Sequence, residues 1–126
     1  MNYLATSVNE SPIIACTAGA AITDVRGHAV KFDSNGKVVL AGAGDTPLGI
    51  GIMTSGDQGA VAQGADVDIQ HKDIGLVAAG GAIAKGANLS VGAGGVFVTA
   101  SEGAVVAIAL EAAAAQGQYI KAILRF

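Results

Sequence analysis

One pattern occurs twice in this chain, and the duplication limits what it can fold into. Asp45-Thr46-Pro47-Leu48-Gly49-Ile50-Gly51-Ile52-Met53 is answered by Gly103-Ala104-Val105-Val106-Ala107-Ile108-Ala109-Leu110-Glu111. In each copy a small polar turn feeds a strand in which large aliphatics alternate with Gly or Ala. Successive side chains of a strand point to opposite faces, so Leu48, Ile50 and Ile52 share one face, as do Val106, Ile108 and Leu110. The other face carries only Gly49 and Gly51, or Ala107 and Ala109. This predicts a core beneath the thick face and close backbone approach on the thin one, by a strand of the same barrel or by a neighbouring subunit.

The duplication runs well beyond this stretch. Gly19-Ala20-Ala21-Ile22 matches Gly80-Gly81-Ala82-Ile83, and Gly27-His28-Ala29-Val30 matches Gly86-Ala87-Asn88-Leu89. Gly36-Lys37-Val38 matches Gly95-Val96-Phe97, and Gln63-Gly64-Ala65-Asp66-Val67 matches Gln116-Gly117-Gln118-Tyr119-Ile120. The offset is 59 residues from Gly27 to Gly86 and 58 from Ile50 to Ile108, and the order of the matches never changes. Two copies make a pseudo-two-fold domain; a solenoid needs three or more.

Composition narrows the class. With 126 residues the chain is expected to be one domain. Hydrophobic residues reach 52% while aromatics are only 4%, so the apolar content is mostly small. Burying one large aliphatic yields only about 1.5–3 kcal/mol, and Ala and Val yield less, so association would help stabilise such a subunit. The 19 glycines suit tight turns better than helices. Charged residues stop at 13%, which favours a surface covered by partners. The net charge of −3 and scattered Lys and Arg argue against direct nucleic-acid binding. Cys16 stands alone, which excludes an internal disulfide and reads as a small buried hydrophobe. No apolar run of about 20 residues suggests a membrane span, and the opening Met1-Asn2-Tyr3-Leu4 lacks the basic head and apolar run of a secretory signal.

In chain order, residues 1–12 show no period and read as an extended N-terminal arm. Residues 13–126 read as a single β domain with halves at about 13–70 and 74–126. Ile13 to Thr17 is a first strand. Val30 and Phe32 alternate with polar residues, Ser34-Asn35-Gly36 turns, and Lys37-Val38-Val39-Leu40 returns, since Asn-Gly between apolar runs is a strong hairpin signal. Ser55-Gly56-Asp57-Gln58-Gly59 is a further turn, and Asp66-Val67-Asp68-Ile69-Gln70 alternates with Val67 and Ile69 inward. Ile74 to Ala78, then Leu89-Ser90-Val91 and Val96-Phe97-Val98, repeat the plan. Glu111 to Gln116 is the one helix-prone run and is long enough for a single turn at most. Tyr119 to Phe126 closes the chain as a strand with Ile120, Ala122, Leu124 and Phe126 on one face. Short strands with Gly turns at regular spacing predict an all-β sandwich or barrel.

Candidate chemistry gives way to simpler readings. Asp66, Asp68, His71 and Asp73 are the densest polar cluster, but His71 and Asp73 fall out of phase with the strand and no EF-hand spacing is present. Charges along a strand edge also discourage edge pairing, which accounts for them without a metal. His28 lies near Asp24 with no Ser or Cys nucleophile tied to it, and reads as a surface or interface histidine. Gly42 and Gly44, or Gly92, Gly94 and Gly95, open no helix and precede no Gly-Lys-Ser/Thr, so phosphate binding is not expected. Lys37 beside a hairpin invites comparison with lipoyl and biotinyl carriers, but their Asp-Lys-Ala or Met-Lys-Met context is missing. The residues predict a non-enzymatic domain without cofactor or metal, working in an assembly.

Gly19-Ala20-Ala21-Ile22, Asp33-Ser34-Asn35-Gly36-Lys37-Val38 and Thr46-Pro47-Leu48-Gly49-Ile50-Gly51 together resemble the capsid decoration, or cement, proteins of tailed bacteriophages. Ala107-Ile108-Ala109-Leu110-Glu111-Ala112-Ala113 and the terminal strand extend the resemblance over residues 13–126. The chain departs from the simplest members in its longer arm and in Val25-Arg26, which lengthens the first repeat. The resemblance implies a β subunit that trimerises on the outer surface of an icosahedral head at three-fold and quasi-three-fold positions, bridging major capsid proteins. Contacts to capsid or subunit are then expected at Tyr3, Leu4 and Pro12 in the arm and at Gly49, Gly51, Ala107 and Ala109 on the thin faces. A competing class is a virion-surface domain that binds host carbohydrate, which usually needs exposed aromatics for stacking; this chain has Tyr3, Tyr119 and three Phe.

Overall fold

A computed structural model of the chain describes residues 11–52, 59–101 and 104–126. Within them lie ten strands and one short 3-10 turn, Ala93–Gly95. The first half holds β1 (Ile13–Thr17), β2 (Ala29–Phe32), β3 (Val38–Leu40), β4 (Gly49–Gly51) and β5 (Asp66–Gln70). The second holds β6 (Ile74–Ala78), β7 (Asn88–Val91), β8 (Phe97–Thr99), β9 (Ala107–Ala109) and β10 (Tyr119–Leu124). Each half makes one antiparallel five-stranded sheet, in the orders β1-β5-β4-β2-β3 and β6-β10-β9-β7-β8. The topology is thus built twice, as the duplicated sequence predicts.

The equivalence reaches single hydrogen bonds. Gly19 N–H donates to the Val38 carbonyl and Gly80 N–H to that of Phe97, both at 2.8 Å. Ile22 bridges Val61 as Ile83 bridges Ala113, and Gly27 N–H meets the Gly51 carbonyl as Gly86 meets Ala109. The first hairpin is tightened by Asp33, whose Oδ1 accepts the N–H groups of Asn35 at 2.8 Å and Lys37 at 3.0 Å. Gly36 completes that turn at φ 73, in the left-handed region that suits glycine.

The fold is all-β and close to a sandwich, and it is not a closed barrel. Ala18 touches Val38, and Ala79 touches Phe97, through single parallel bridges that bring the edges of each sheet together at one point. No ladder follows, because the chain bends away at once through Gly19 and Gly80. The Ala-rich run 111–116 forms no helix: Ala113 pairs with Ile83 in both directions at 2.9 Å, and this tertiary pairing overrides its helical propensity.

Two apolar cores result. Val25, Val30, Val38, Val67 and Ile69 centre the first, and Val77, Leu89, Phe97, Val106 and Ile120 the second. The second core also takes in Ala29, Ala41 and Ile50 from the first half, so the halves pack as one body. Gln70 secures the link between them, its Nε2 donating to the carbonyls of Lys72 and Ile74, each at 2.9 Å.

That packing bears out the close backbone approach on the thin face, made by Gln70 at Gly49 and by Val25 at Gly51. It also puts Ile50 and Val106 of the thick face in a core, but not always the core expected. Ile50 does not face the core of its own half. It crosses into the second core, its Cδ1 lying against Gly75. Gly49 and Gly51 face the first core, against Ile69 and Val25, while Ala107 and Ala109 face the second. Ile108, the large residue between them, is only half-buried. The thin face therefore looks inward in both copies. Alternation says which residues share a face; it does not say which face meets the core.

Candidate functional site

The residues expected to make contacts fall into three groups. Tyr3 and Leu4, with the rest of residues 1–10, lie outside the described residues, as do Met53 and the Ser55 to Gln58 part of the predicted turn. Pro12 is partly exposed at the start of β1, and its carbonyl accepts the His71 N–H at 2.9 Å. Gly49, Gly51, Ala107 and Ala109 are buried, and the close approach at Gly49 and Gly51 is intramolecular, by the backbones of Gln70 and Val25.

A feature that sequence reasoning missed is a groove of about 550 Å³ at the seam between the halves. Ile74, Leu76, Tyr119 and Lys121 wall it from the outer face of the second sheet, and Arg26 and Gly51 close it from the first half. Cross-strand pairing explains the wall: Leu76 opposes Lys121 and Ala78 opposes Tyr119, so these side chains rise from one face. Ile74, Leu76 and Tyr119 are all exposed. The wall is mostly apolar, with one aromatic ring, Tyr119, and the Lys121 side chain beside it. The signal in the sequence was the strand pair Ile74–Ala78 and Tyr119–Leu124, whose apolar residues sit on both faces instead of one.

Polar groups gather at the rim, and one of them, the Tyr119 hydroxyl, reaches across the seam. Arg26 meets Asp24 through two side-chain bonds, Nε to Oδ1 and Nη2 to Oδ2, both 2.9 Å. Asp24 Oδ1 also accepts the Arg26 N–H at 3.0 Å, and the Tyr119 hydroxyl lies 3.4 Å from Oδ2. His28 Nδ1 sits 2.8 Å from the Arg26 carbonyl, which accounts for this histidine structurally. Burial, with the Asp24 carboxylate nearby, raises the Tyr119 hydroxyl above its ordinary pKa.

The Arg26 side-chain hydrogen bonds hold the Asp24 carboxyl below its ordinary value of 3.8. Its folded pKa thus lies beneath its unfolded one, so the stability it contributes is fully present above the unfolded pKa and is lost as pH falls through the folded one. Asp24→Asn is expected to show a shallower fall in melting temperature than wild type from about pH 5 to about pH 3. Circular-dichroism melts check this, and parallel slopes would remove Asp24 from the acid response.

The Asp66, Asp68, His71 and Asp73 cluster does not converge. His71 Nε2 lies 3.0 Å from the Ser11 carbonyl, and Asp73 takes a turn position at φ 70. Among the described residues no group of three or more His, Cys, Asp or Glu is arranged to hold a metal ion. Nor is any helix there long and apolar enough to cross a membrane. Burial, with Asp66 beside it, raises the Cys16 thiol pKa, which keeps the thiol protonated and unreactive.

No protein-family model and no curated protein matches the chain. In fold it is similar to the crystal structure of the N base of head fiber gp8.5 in bacteriophage phi29, with a TM-score of 0.68. The two share 21% sequence identity over 89% of this chain and 92% of the other. At that identity the likeness is one of fold.

Proposed function

We propose that this chain is a structural protein of a tailed-phage head, seated on the outer surface of the capsid. The observation that carries the reading is the likeness in fold, across nearly the whole of both chains, to the base of a phage head fiber. The duplicated, glycine-rich pattern that resembles capsid decoration proteins points the same way. In this reading the protein is no enzyme and needs no cofactor; it contacts neither nucleic acid nor membrane. Its partners are the major capsid protein and further copies of itself, three together at three-fold and quasi-three-fold positions.

The physical logic is multivalency. A copy held at several points on a closed shell stays bound even where each contact is modest, because every contact after the first is intramolecular. Residues 1–12, with Tyr3 and Leu4 as apolar anchors and Pro12 at the exit, serve as a strap onto the capsid or an adjacent subunit.

Co-sedimentation with expanded heads of the phage that encodes the chain tests this reading. The full chain is expected to pellet with heads and to saturate at a fixed ratio to the major capsid protein. A variant lacking residues 1–12 is expected to stay folded and lose at least about tenfold in affinity, the equivalent of about 1.4 kcal/mol. A full chain that remains in the supernatant at all ratios would overturn the head assignment. Unchanged binding by the truncated form would overturn the strap alone.

A further inference from the structure

The interface between the two halves of this chain offers one surface from each, and the repeat presents both surfaces a second time, without a partner among the described residues. From the first half, Ala29 and Ile50 are neighbours across β2 and β4, and both are buried against the second half. Their equivalents across β7 and β9 are Asn88, which is exposed, and Ile108, which is half-buried. The row continues through Ile123 to Ile74, which is 56% exposed. Among the described residues the first half reaches over this outer face only at its Leu76 and Tyr119 end, through Arg26, Gly27 and Gly51. Around Asn88 and Ile108 the second sheet thus repeats a packing face left uncovered.

The receiving surface shows the same imbalance. In the second half, Val91 is 2% exposed and Val77 fully buried, because the first half closes that core, with Gly44 N–H donating to the Val91 carbonyl at 3.0 Å. The equivalent of Val91 is Phe32, which is 49% exposed, and that of Val77 is Cys16, only partly buried. Ile14 and Leu40 are likewise partly buried beside the first core. Among the described residues, the first core is left open along the flank where the second is sealed.

We infer that the occupant of this flank is a second copy of the chain, docked head to tail: the outer face of its second sheet, around Ile108, closes the first core of its neighbour around Phe32. The contact continues the intramolecular interface from one chain to the next. Ile14 stands where Gly75 receives Ile50, so the intermolecular contact is the wider of the two. A head-to-tail contact is heterologous, using two different patches, and such contacts close into rings or run on as filaments. With the three copies proposed above, closure sets six repeats around one axis. The inference rests on that reading only for the number of copies.

Solution mass without heads tests it apart from capsid binding. By light scattering the wild type is expected to exceed the single-chain mass of 12.2 kDa. Phe32→Glu and Ile108→Glu each place a charge on one patch and are expected to weaken association at least tenfold, leaving single chains. Because each variant keeps the patch the other lacks, an equimolar mixture is expected to form a two-chain species and stop there. A wild type that stays a single chain would overturn the inference, as would variants that associate like wild type or a mixture that stays monomeric. Should either variant unfold, hydrogen exchange on the wild type decides. Amides of β1 and residues 86–88 are expected to slow at least tenfold between dilute and assembled protein, and equal rates would refute the docking. Failure of head binding leaves all these outcomes readable.

Discussion

Phe97→Ala is expected to lower the unfolding free energy by about 3–5 kcal/mol, the range for removing a fully buried aromatic ring. Phe97 is the largest fully buried side chain of the described residues, and the core around it draws residues from both halves. It sits on β8 opposite Val91, and its carbonyl holds the Gly80 N–H that ends the β6 segment. Its backbone is therefore fixed on two sides, and the void cannot collapse easily. Val38, its equivalent in the first half, is as deeply buried but smaller. Val38→Ala should cost about 1.5–3 kcal/mol, from two methyl groups at about 0.8 kcal/mol each plus a small cavity. Urea denaturation measures both. Equal costs would mean that the shared core is not what dominates stability.

Much of this architecture was legible. Gly-marked turns in an unchanging order, at offsets between 53 (Gly64 to Gly117) and 61 (Gly19 to Gly80), revealed the duplication. Alternation located Asp66–Gln70 and Tyr119–Leu124, and short apolar runs Ile13–Thr17 and Ile74–Ala78, to within a residue or two. These signals are local, and local chemistry sets them: positive φ at Gly36, an Asx side chain at Asp33, alternating burial at Val67 and Ile69. Where distant segments decide, local composition says less. Glu111 to Gln116 has helical composition, yet Ala113 is claimed by Ile83, about thirty residues upstream. Likewise nothing near Ile50 announces that its face is covered by Gly75 while that of Ile108 is not.

The candidate surfaces were illegible for a related reason. Val91 and Phe32 occupy the same place in the same strand of two matching sheets, and both look like core residues. Only the three-dimensional packing shows that one is sealed by the neighbouring half and the other open. The groove at Tyr119 arises the same way, since its walls come from segments nearly a hundred residues apart, Arg26 and Lys121. Duplication writes each surface twice and uses one copy inside the chain. The unused copies are where partners are to be sought.

Gly51→Ala is the second change expected to be severe, at about 1–3 kcal/mol or above, by overpacking. A methyl group at this position lands on the Val25 carbonyl oxygen and on its Cγ2. The turn cannot easily retreat. Gly51 donates its N–H to the His28 carbonyl at 3.0 Å and accepts from Gly27 at 2.8 Å, and the Val25 side chain is locked in the first core. The second half supplies the control. Ala109 makes the same two bonds, to the Ala87 carbonyl at 2.9 Å and from Gly86 at 2.8 Å, with a methyl group already in place. There the position of Val25 is taken by Ala84, whose carbonyl accepts the Ala87 N–H at 3.1 Å as that of Val25 accepts the His28 N–H, but whose side chain is exposed and held in no core. Trimming Val25 should therefore let the first turn back away as the second one does. The double variant Val25→Ala with Gly51→Ala is expected to lose less than the sum of the single losses, by at least about 0.5 kcal/mol of coupling. Chemical denaturation of the four proteins completes the cycle. Strict additivity would show that the Val25 side chain does not hold the turn against the strand, and that the glycine is required by the backbone alone.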